Sequence, residues 1–363
     1  MKTLGIVTIF DNNNYGNRLQ NYALQEVLKE RNFNVITFRN YHNKNESKFL
    51  STLRRTDLFW LFRSIYFRLK HSPNSQRRLA FEAFTEKNIA TSNVILTSDK
   101  QKIRNKSIDA VVIGSDQVWN YTFARFSNID FASFVSEGTP IISYAASFGV
   151  SQIPKKLHQQ YIAGLSRIKS LSVREISGQG IVRDIIKREV PIVLDPTLLL
   201  STNQWKALAS SSTFDTGSSY VLVYMLGELS ADRASYINEY ALTHKLKVKR
   251  LNDISDLELY TANPQDFVKL FLNAKAVFTD SFHACVFSVL FKKRFEIFNR
   301  IGESVSMNSR IESLIEILKL KTKNSEHGSQ IIEVTAYTNI DVTLESAKTK
   351  SLKYIDRALT QLL

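Results

Sequence analysis

The chain has 363 residues, 44% of them hydrophobic and 23% charged. That balance fits a globular protein long enough for two α/β domains and excludes wholesale disorder. A single cysteine, Cys285, excludes an intramolecular disulfide and any multi-cysteine metal centre, and it fits a reducing, cytoplasmic setting. No apolar run approaches the ~20 residues of a membrane span, and the first residues lack the apolar h-region of a secretory signal.

Lys and Arg number 48 against 34 Asp and Glu, a formal charge of +14, which attracts phosphates, nucleic acid or anionic lipid. Half of that excess is local, because residues 44–80 hold nine basic side chains and two acidic ones. Within this stretch residues 50–70 place Leu58, Leu61, Phe62, Ile65 and Leu69 at helical spacing among Arg54, Arg55, Arg63, Arg68 and Lys70. Such a helix suits either an anionic membrane surface or packing on its own domain with the arginines solvated. No nucleic-acid reading motif accompanies the charge, so nucleic acid is not an expected partner.

In chain order, residues 4–9 read as a buried strand and 20–31 as an amphipathic helix with Tyr22, Ala23, Val27 and Leu28 inward. Residues 34–38 read as the next strand, which completes a βαβ opening. Apolar strands follow at 110–114, 141–146, 168–173 and 191–194, the continuous kind found in parallel sheets covered on both faces. The rhythm restarts near Asn203: strands at 220–225, 247–251 and 276–279 alternate with helices at 231–243, 264–272, 282–290 and 310–318. Leu344, Leu352, Ile355 and Leu359 mark a closing helix in 341–363. The expected division is therefore an N-terminal Rossmann-like domain over 1–200, a second over 201–340, and a terminal helix.

Ligands of open parallel sheets bind beyond the carboxyl ends of the strands, and four loops at such positions are polar. The first carries Asn14, Tyr15, Gly16 and Asn17 ahead of a helix, suited to an anion or a sugar hydroxyl or, equally, to a plain turn and cap. The second, with Ser115, Asp116, Gln117 and Trp119, offers a carboxylate, amides and an aromatic plate of the kind that grips sugars, although Asp116 also suits a cap and Trp119 a core. The third contains Ser147 and Phe148. The fourth contains Asp280, Ser281 and His283, and His283 near a helix N-terminus is a candidate acid or base, or a packed histidine. Arg174 ends another strand and suits bidentate binding of a carboxylate or phosphate, or a salt bridge to Glu175 or Asp184. Walker, dinucleotide-binding, zincin and nucleophile-elbow motifs are all missing, which counts against kinases, dehydrogenases, metalloproteases and serine hydrolases. No metal set is expected.

Taken together, Asn-Tyr-Gly-Asn at 14–17, Ile-Gly-Ser-Asp-Gln-Val-Trp-Asn at 113–120, Tyr-Ala-Ala-Ser-Phe-Gly at 144–149, Ser-Val-Arg-Glu at 172–175, Leu-Asp-Pro-Thr at 194–197 and Thr-Asp-Ser-Phe-His at 279–283 resemble the polysaccharide pyruvyl transferase family. The resemblance implies two Rossmann-like domains in the arrangement of GT-B glycosyltransferases, residues 1–200 on the acceptor side, 201–340 on the donor side, and the terminal helix returning to the first domain. It implies phosphoenolpyruvate as co-substrate, no separate cofactor, and a sugar acceptor, lipid-linked or polymeric, in the cytoplasm or at the inner face of the membrane. On this reading His283 is the acid/base and Arg174 a ligand of the donor. Many members carry arginine where this chain has Ser281, and Arg310, Lys292 or Lys293 are the expected replacements. Two other classes stay open: a GT-B glycosyltransferase with a nucleotide-sugar donor, and a non-catalytic basic protein bound to membrane or nucleic acid.

Overall fold

The computed structural model describes residues 1–11, 13–40, 72–103, 108–301, 309–325 and 327–361. The basic segment 50–70 therefore lies outside the described residues.

The first unit opens with β1 (Thr3–Val7), α1 (Tyr15–Lys29) and β2 (Asn34–Asn40). Helix α1 starts five residues earlier than its periodicity predicts. Asn14 caps it, its side chain accepting the Asn17 N–H at 3.3 Å, and Tyr15 and Leu19 extend the buried stripe by one turn. The Asn-rich run obscures this start, because only one of its asparagines is the cap. Next come α2 (Pro73–Asn88), β3 (Thr91–Leu96), β4 (Ala110–Ile113) and β5 (Ile141–Ser143). The five strands form a parallel sheet in the order β3-β2-β1-β4-β5.

Beyond β5 the predicted strands at 168–173 and 191–194 shrink to single parallel bridges, Ile142 with Ser170, Ala146 with Val173 and Val173 with Ile192. Two features break the ladder. Pro191 has no N–H to give, and the Ser172 N–H turns to the Ser143 hydroxyl at 3.0 Å instead of a carbonyl. Helices α3 (His158–Ser166) and α4 (Ile176–Ile186) flank this region.

The second unit follows α5 (Thr202–Ser210) with β6 (Tyr220–Tyr224), α6 (Ala231–Thr243), β7 (Lys247–Leu251), α7 (Leu257–Tyr260), α8 (Pro264–Asn273), β8 (Ala276–Thr279), α9 (Phe282–Leu290) and β9 (Arg294–Ile297). After α10 (Ser309–Leu318), the short strands β10 (Lys323–Asn324) and β11 (Gln330–Ile332) return antiparallel, and α11 (Ile340–Thr360) ends the chain. The sheet runs β10-β11-β9-β8-β6-β7, parallel from β7 to β9. Strands β9 to β11 escape a reading by pattern because they are two to four residues long and mix charge with apolar side chains.

Both units are thus Rossmann-like α/β layers, and one continuous apolar core runs through them, joining Leu4, Leu19 and Leu24 to Tyr224, Phe267 and Phe287. Tyr15 of α1 stacks on Phe267 of α8 with ring centroids 4.5 Å apart. Helix α11 crosses back to the first unit, where Tyr354 donates to the Ser143 carbonyl at 2.8 Å, Ser351 accepts from the Leu194 N–H at 3.0 Å and Asp356 pairs with Arg31 at 2.6 Å. Among the parallel strands of each sheet the order reverses once, between β1 and β4 in the first and between β6 and β8 in the second. Among the described residues no helix is long and apolar enough to cross a membrane.

Candidate active site

The loops leaving these two switch points meet at one place, and its centre is Asp195. This residue follows the Val173–Ile192 bridge and caps a single 3-10 turn, Pro196–Leu198. One carboxylate oxygen accepts the Thr197 N–H at 3.0 Å and the Thr197 hydroxyl at 2.6 Å. The other accepts the Ser115 hydroxyl at 2.9 Å and Arg174 Nη1 at 2.6 Å, and His283 Nε2 stands 3.6 Å from it. Burial by itself would raise the carboxyl's pKa. His283, Arg174 and Thr197 overcome that and hold it well below the usual carboxylate range, so Asp195 is ionised at every physiological pH.

Arg174 is buried between two carboxylates, with Nη2 reaching Asp116 Oδ1 at 3.3 Å, and its guanidinium lies 4.4 Å from the Phe282 ring centroid. Its partners are Asp195 and Asp116. Asp184 lies on the exposed face of α4 beside Arg183, and the Glu175 contact is long at 3.9 Å. Glu175, fully buried, spends one oxygen on the Phe148 N–H at 2.9 Å. Arg310, from the first turn of α10, brings Nη1 to 3.9 Å from Asp116. Burial and the neighbouring Arg174 push its pKa down to about 10, which still leaves it charged at neutral pH.

Two residues here adopt left-handed backbone, Asp116 at φ 69° and Ala145 at φ 50°. Neither is glycine, and strain of this kind gathers where a loop must aim a side chain. At Asp116 it turns the carboxylate toward Arg174 and Arg310, while the carbonyl still takes the Ser147 N–H at 2.9 Å.

His283 occupies the second position of α9, after Ser281 at the cap. Its ring lies against Gly16 of α1, where a Cβ would come within 2.0 Å of Nδ1. Glycine is therefore required at position 16 for close approach. The imidazole is wedged between the first turn of one unit's helix and the carboxylate of Asp195, and its Nε2 makes no hydrogen bond.

Several residues expected to face a ligand are placed elsewhere. Trp119 is fully buried, stacked on Phe131 and donating its indole N–H to the Asp130 carbonyl at 3.1 Å, so it is core and not a sugar plate. Phe148 packs against Trp119 and Tyr161 in the same cluster. Tyr15 points into the junction of the two units, and Asn14 is spent on capping. Gln117 is folded onto Asn120 and Gly149. Asp280 turns inward, accepting the Leu226 N–H at 2.7 Å and the Gly227 N–H at 2.8 Å and pairing with Arg300 at 3.2 Å. Lys292 pairs with exposed Asp341, and Lys293 donates to the Leu272 carbonyl, so neither lysine replaces a cation at position 281.

Asn17 and Ser147 are buried with the Asn17 side-chain oxygen and the Ser147 hydroxyl making no hydrogen bond, which leaves both able to bond a ligand. Among the described residues no group of three or more His, Cys, Asp or Glu side chains is arranged to hold a metal ion. Cys285, on α9, is buried with its thiol pKa pushed up by burial, and takes no part.

The family model described as polysaccharide pyruvyl transferase matches residues 14–299, from the cap of α1 to just past β9. The chain belongs to the polysaccharide pyruvyl transferase family. Among curated proteins no sequence matches it. Similar solved structures include the UDP-GlcNAc 2-epimerase of Neisseria meningitidis bound to UDP-GlcNAc, with 11% identity, TM-score 0.46 and 99% of this chain and 100% of that chain covered. The wall teichoic acid polymerase TagF gives 12%, 0.43, 98% and 83%. A glycosyltransferase from Rickettsia africae gives 10%, 0.39, 99% and 97%.

In this pyruvyl transferase family member the Leu-Asp-Pro-Thr motif carries no local sign of the role of Asp195. An aspartate ahead of proline reads as a turn former, and only the fold brings Ser115, Arg174 and His283 to it. Arg77 of α2, buried where the two units meet, is equally silent in the sequence, since nothing in a polar helix sets one arginine apart.

Proposed function

We propose that the chain transfers the three-carbon unit of phosphoenolpyruvate to two hydroxyls of one sugar, forming a cyclic pyruvate ketal and releasing phosphate. The acceptor class is a bacterial surface polysaccharide or its lipid-linked precursor. The observation that carries this reading is the single cluster of His283, ionised Asp195, Arg174 and Arg310 where the two units meet. A titratable group and fixed positive charge stand together there, as the chemistry demands.

In this reading His283 delivers a proton to the methylene carbon of the enol, so that C2 becomes an oxocarbenium-like centre. One sugar oxygen bonds to C2 and gives up its proton. The C2–O bond to phosphate then breaks, and the second sugar oxygen takes its place. Of the two hydroxyl protons, one balances the new methyl group and the other leaves with phosphate. Asp195 orients the imidazole and gives the imidazolium a counter-charge. Arg310 faces the donor's anionic groups, while Arg174, already shared by two carboxylates, holds Asp195 and Asp116 in place. Asn17 and Ser147 offer their buried oxygens to the acceptor.

A nucleotide-sugar donor is the other reading of such a two-unit fold. In the loop after β6 the amides of Leu226 and Gly227 are already taken by the Asp280 carboxylate, so neither is free for a diphosphate. A donor screen decides between them: phosphate release from phosphoenolpyruvate with a ketal methyl signal on the sugar supports the proposal, and nucleoside diphosphate release from a nucleotide-sugar overturns it. A lipid-linked acceptor would place the enzyme at the inner membrane face, with basic residues 50–70 as the contact. Co-sedimentation with anionic vesicles that is lost in high salt is the expected result, and no binding at low salt removes this part of the proposal.

A further inference from the structure

Arg77 is buried at the junction of the two units, far along the chain from every site motif. Its Nη1 donates to the Tyr260 carbonyl of the second unit at 2.6 Å and to the Tyr15 hydroxyl at 3.1 Å, and its Nη2 donates to the Asn13 carbonyl at 3.0 Å. Tyr15 in turn donates to the Ala262 carbonyl at 2.9 Å. The guanidinium lies over the Tyr15, Phe81 and Tyr260 rings at 4.7, 5.2 and 5.2 Å, a setting in which a planar cation both stacks and forks and a lysine does neither well.

The next residue after Tyr15 is Gly16, on which the His283 ring rests. Residues 13–16 are therefore gripped by the second unit at two adjacent points, the Tyr260–Ala262 carbonyls through Arg77 and Tyr15, and His283 directly. His283 belongs to the second unit and Asp195 to the first, so the 3.6 Å between them is set by how the units are seated on each other.

We propose that Arg77, with Tyr15, is a positioning latch that fixes the seat of the second unit and thereby holds the His283 imidazole against Asp195. The latch itself is a statement about geometry; only its effect on turnover rests on the reading of function given above.

The test is the side-chain ¹⁵N resonance of His283, resolved among six histidines and assigned by its loss in His283→Gln. In folded Arg77→Met the latch predicts a moved or broadened His283 resonance, turnover lower by about ten- to a hundredfold with the donor KM little changed, and partial recovery of both in Arg77→Lys. An unmoved resonance in folded Arg77→Met overturns the proposal. Should Arg77→Met fail to fold, Tyr15→Phe removes only the hydroxyl: a smaller shift in the same direction supports the latch, and an unmoved resonance overturns it. A resonance that moves in an enzyme inactive on phosphoenolpyruvate supports the latch and counts against the proposed reaction alone.

Discussion

Gly16 and His283 touch across the junction of the two units so closely that a single methyl group at position 16 would lie 2.0 Å from the imidazole Nδ1. Replacing a glycine inside a helix by alanine ordinarily gains about 0.5–1 kcal/mol. Here Gly16→Ala is expected to displace the His283 ring, lowering turnover at least about tenfold while the melting temperature changes little. Thermal melts alongside turnover check this. A fully active Gly16→Ala enzyme would show that His283 need not sit where it is found.

Asp195→Asn removes the charge from a buried cluster and leaves Arg174 with the longer Asp116 contact at 3.3 Å, a loss of up to about 3 kcal/mol at neutral pH. The pH dependence has a definite sign. The folded-state pKa lies below the unfolded value of about 3.9, so Asp195 contributes fully from about pH 5 upward and its contribution drains as pH falls through the unfolded value toward the folded one. Urea unfolding at pH 7 and pH 3.5 should therefore show the gap between wild type and Asp195→Asn narrowing in acid. A gap that is constant with pH contradicts the assignment.

The two arginines separate by stability. Arg174→Lys keeps the charge but cannot span Asp195 and Asp116, so its melting temperature should fall together with activity. The family resemblance implies a donor ligand whose replacement by lysine hardly moves the melting temperature; the double carboxylate grip changes that expectation. Arg310→Ala should instead weaken phosphoenolpyruvate binding by about tenfold with a smaller effect on melting. Equal donor affinity in Arg310→Ala and wild type, measured by titration, would remove Arg310 from the donor site.

How far the sequence could be read follows from what each feature depends on. Strands β1, β4, β6 and β8 were legible because each is a short apolar run buried on both faces, and the acidic, amide-rich loops after them were legible because polarity returns abruptly at the strand end. The start of α1 was not legible, since Asn14 acts as a cap among other asparagines. Trp119 and Phe148 could not be decided locally, because an aromatic in a polar loop has the same sequence signature whether it covers a sugar or plugs the core beneath its own loop. Asp195 and Arg77 depend wholly on tertiary contacts, with partners 80 residues away in the Ser115–Asp195 bond and 183 in the Arg77–Tyr260 bond, so no local pattern reports them.

In the proposed reaction His283, held between Gly16 and Asp195, handles the proton of a phosphoenolpyruvate-dependent transfer. Phosphate release from phosphoenolpyruvate in the presence of a sugar diol, compared between wild type and His283→Gln, tests it most directly. The expected result is acceptor-dependent release by the wild type and a rate at least about a hundredfold lower in a folded His283→Gln variant that still binds the donor. Equal rates in the two proteins, or no release by the wild type together with tight binding of a nucleotide-sugar, would contradict it.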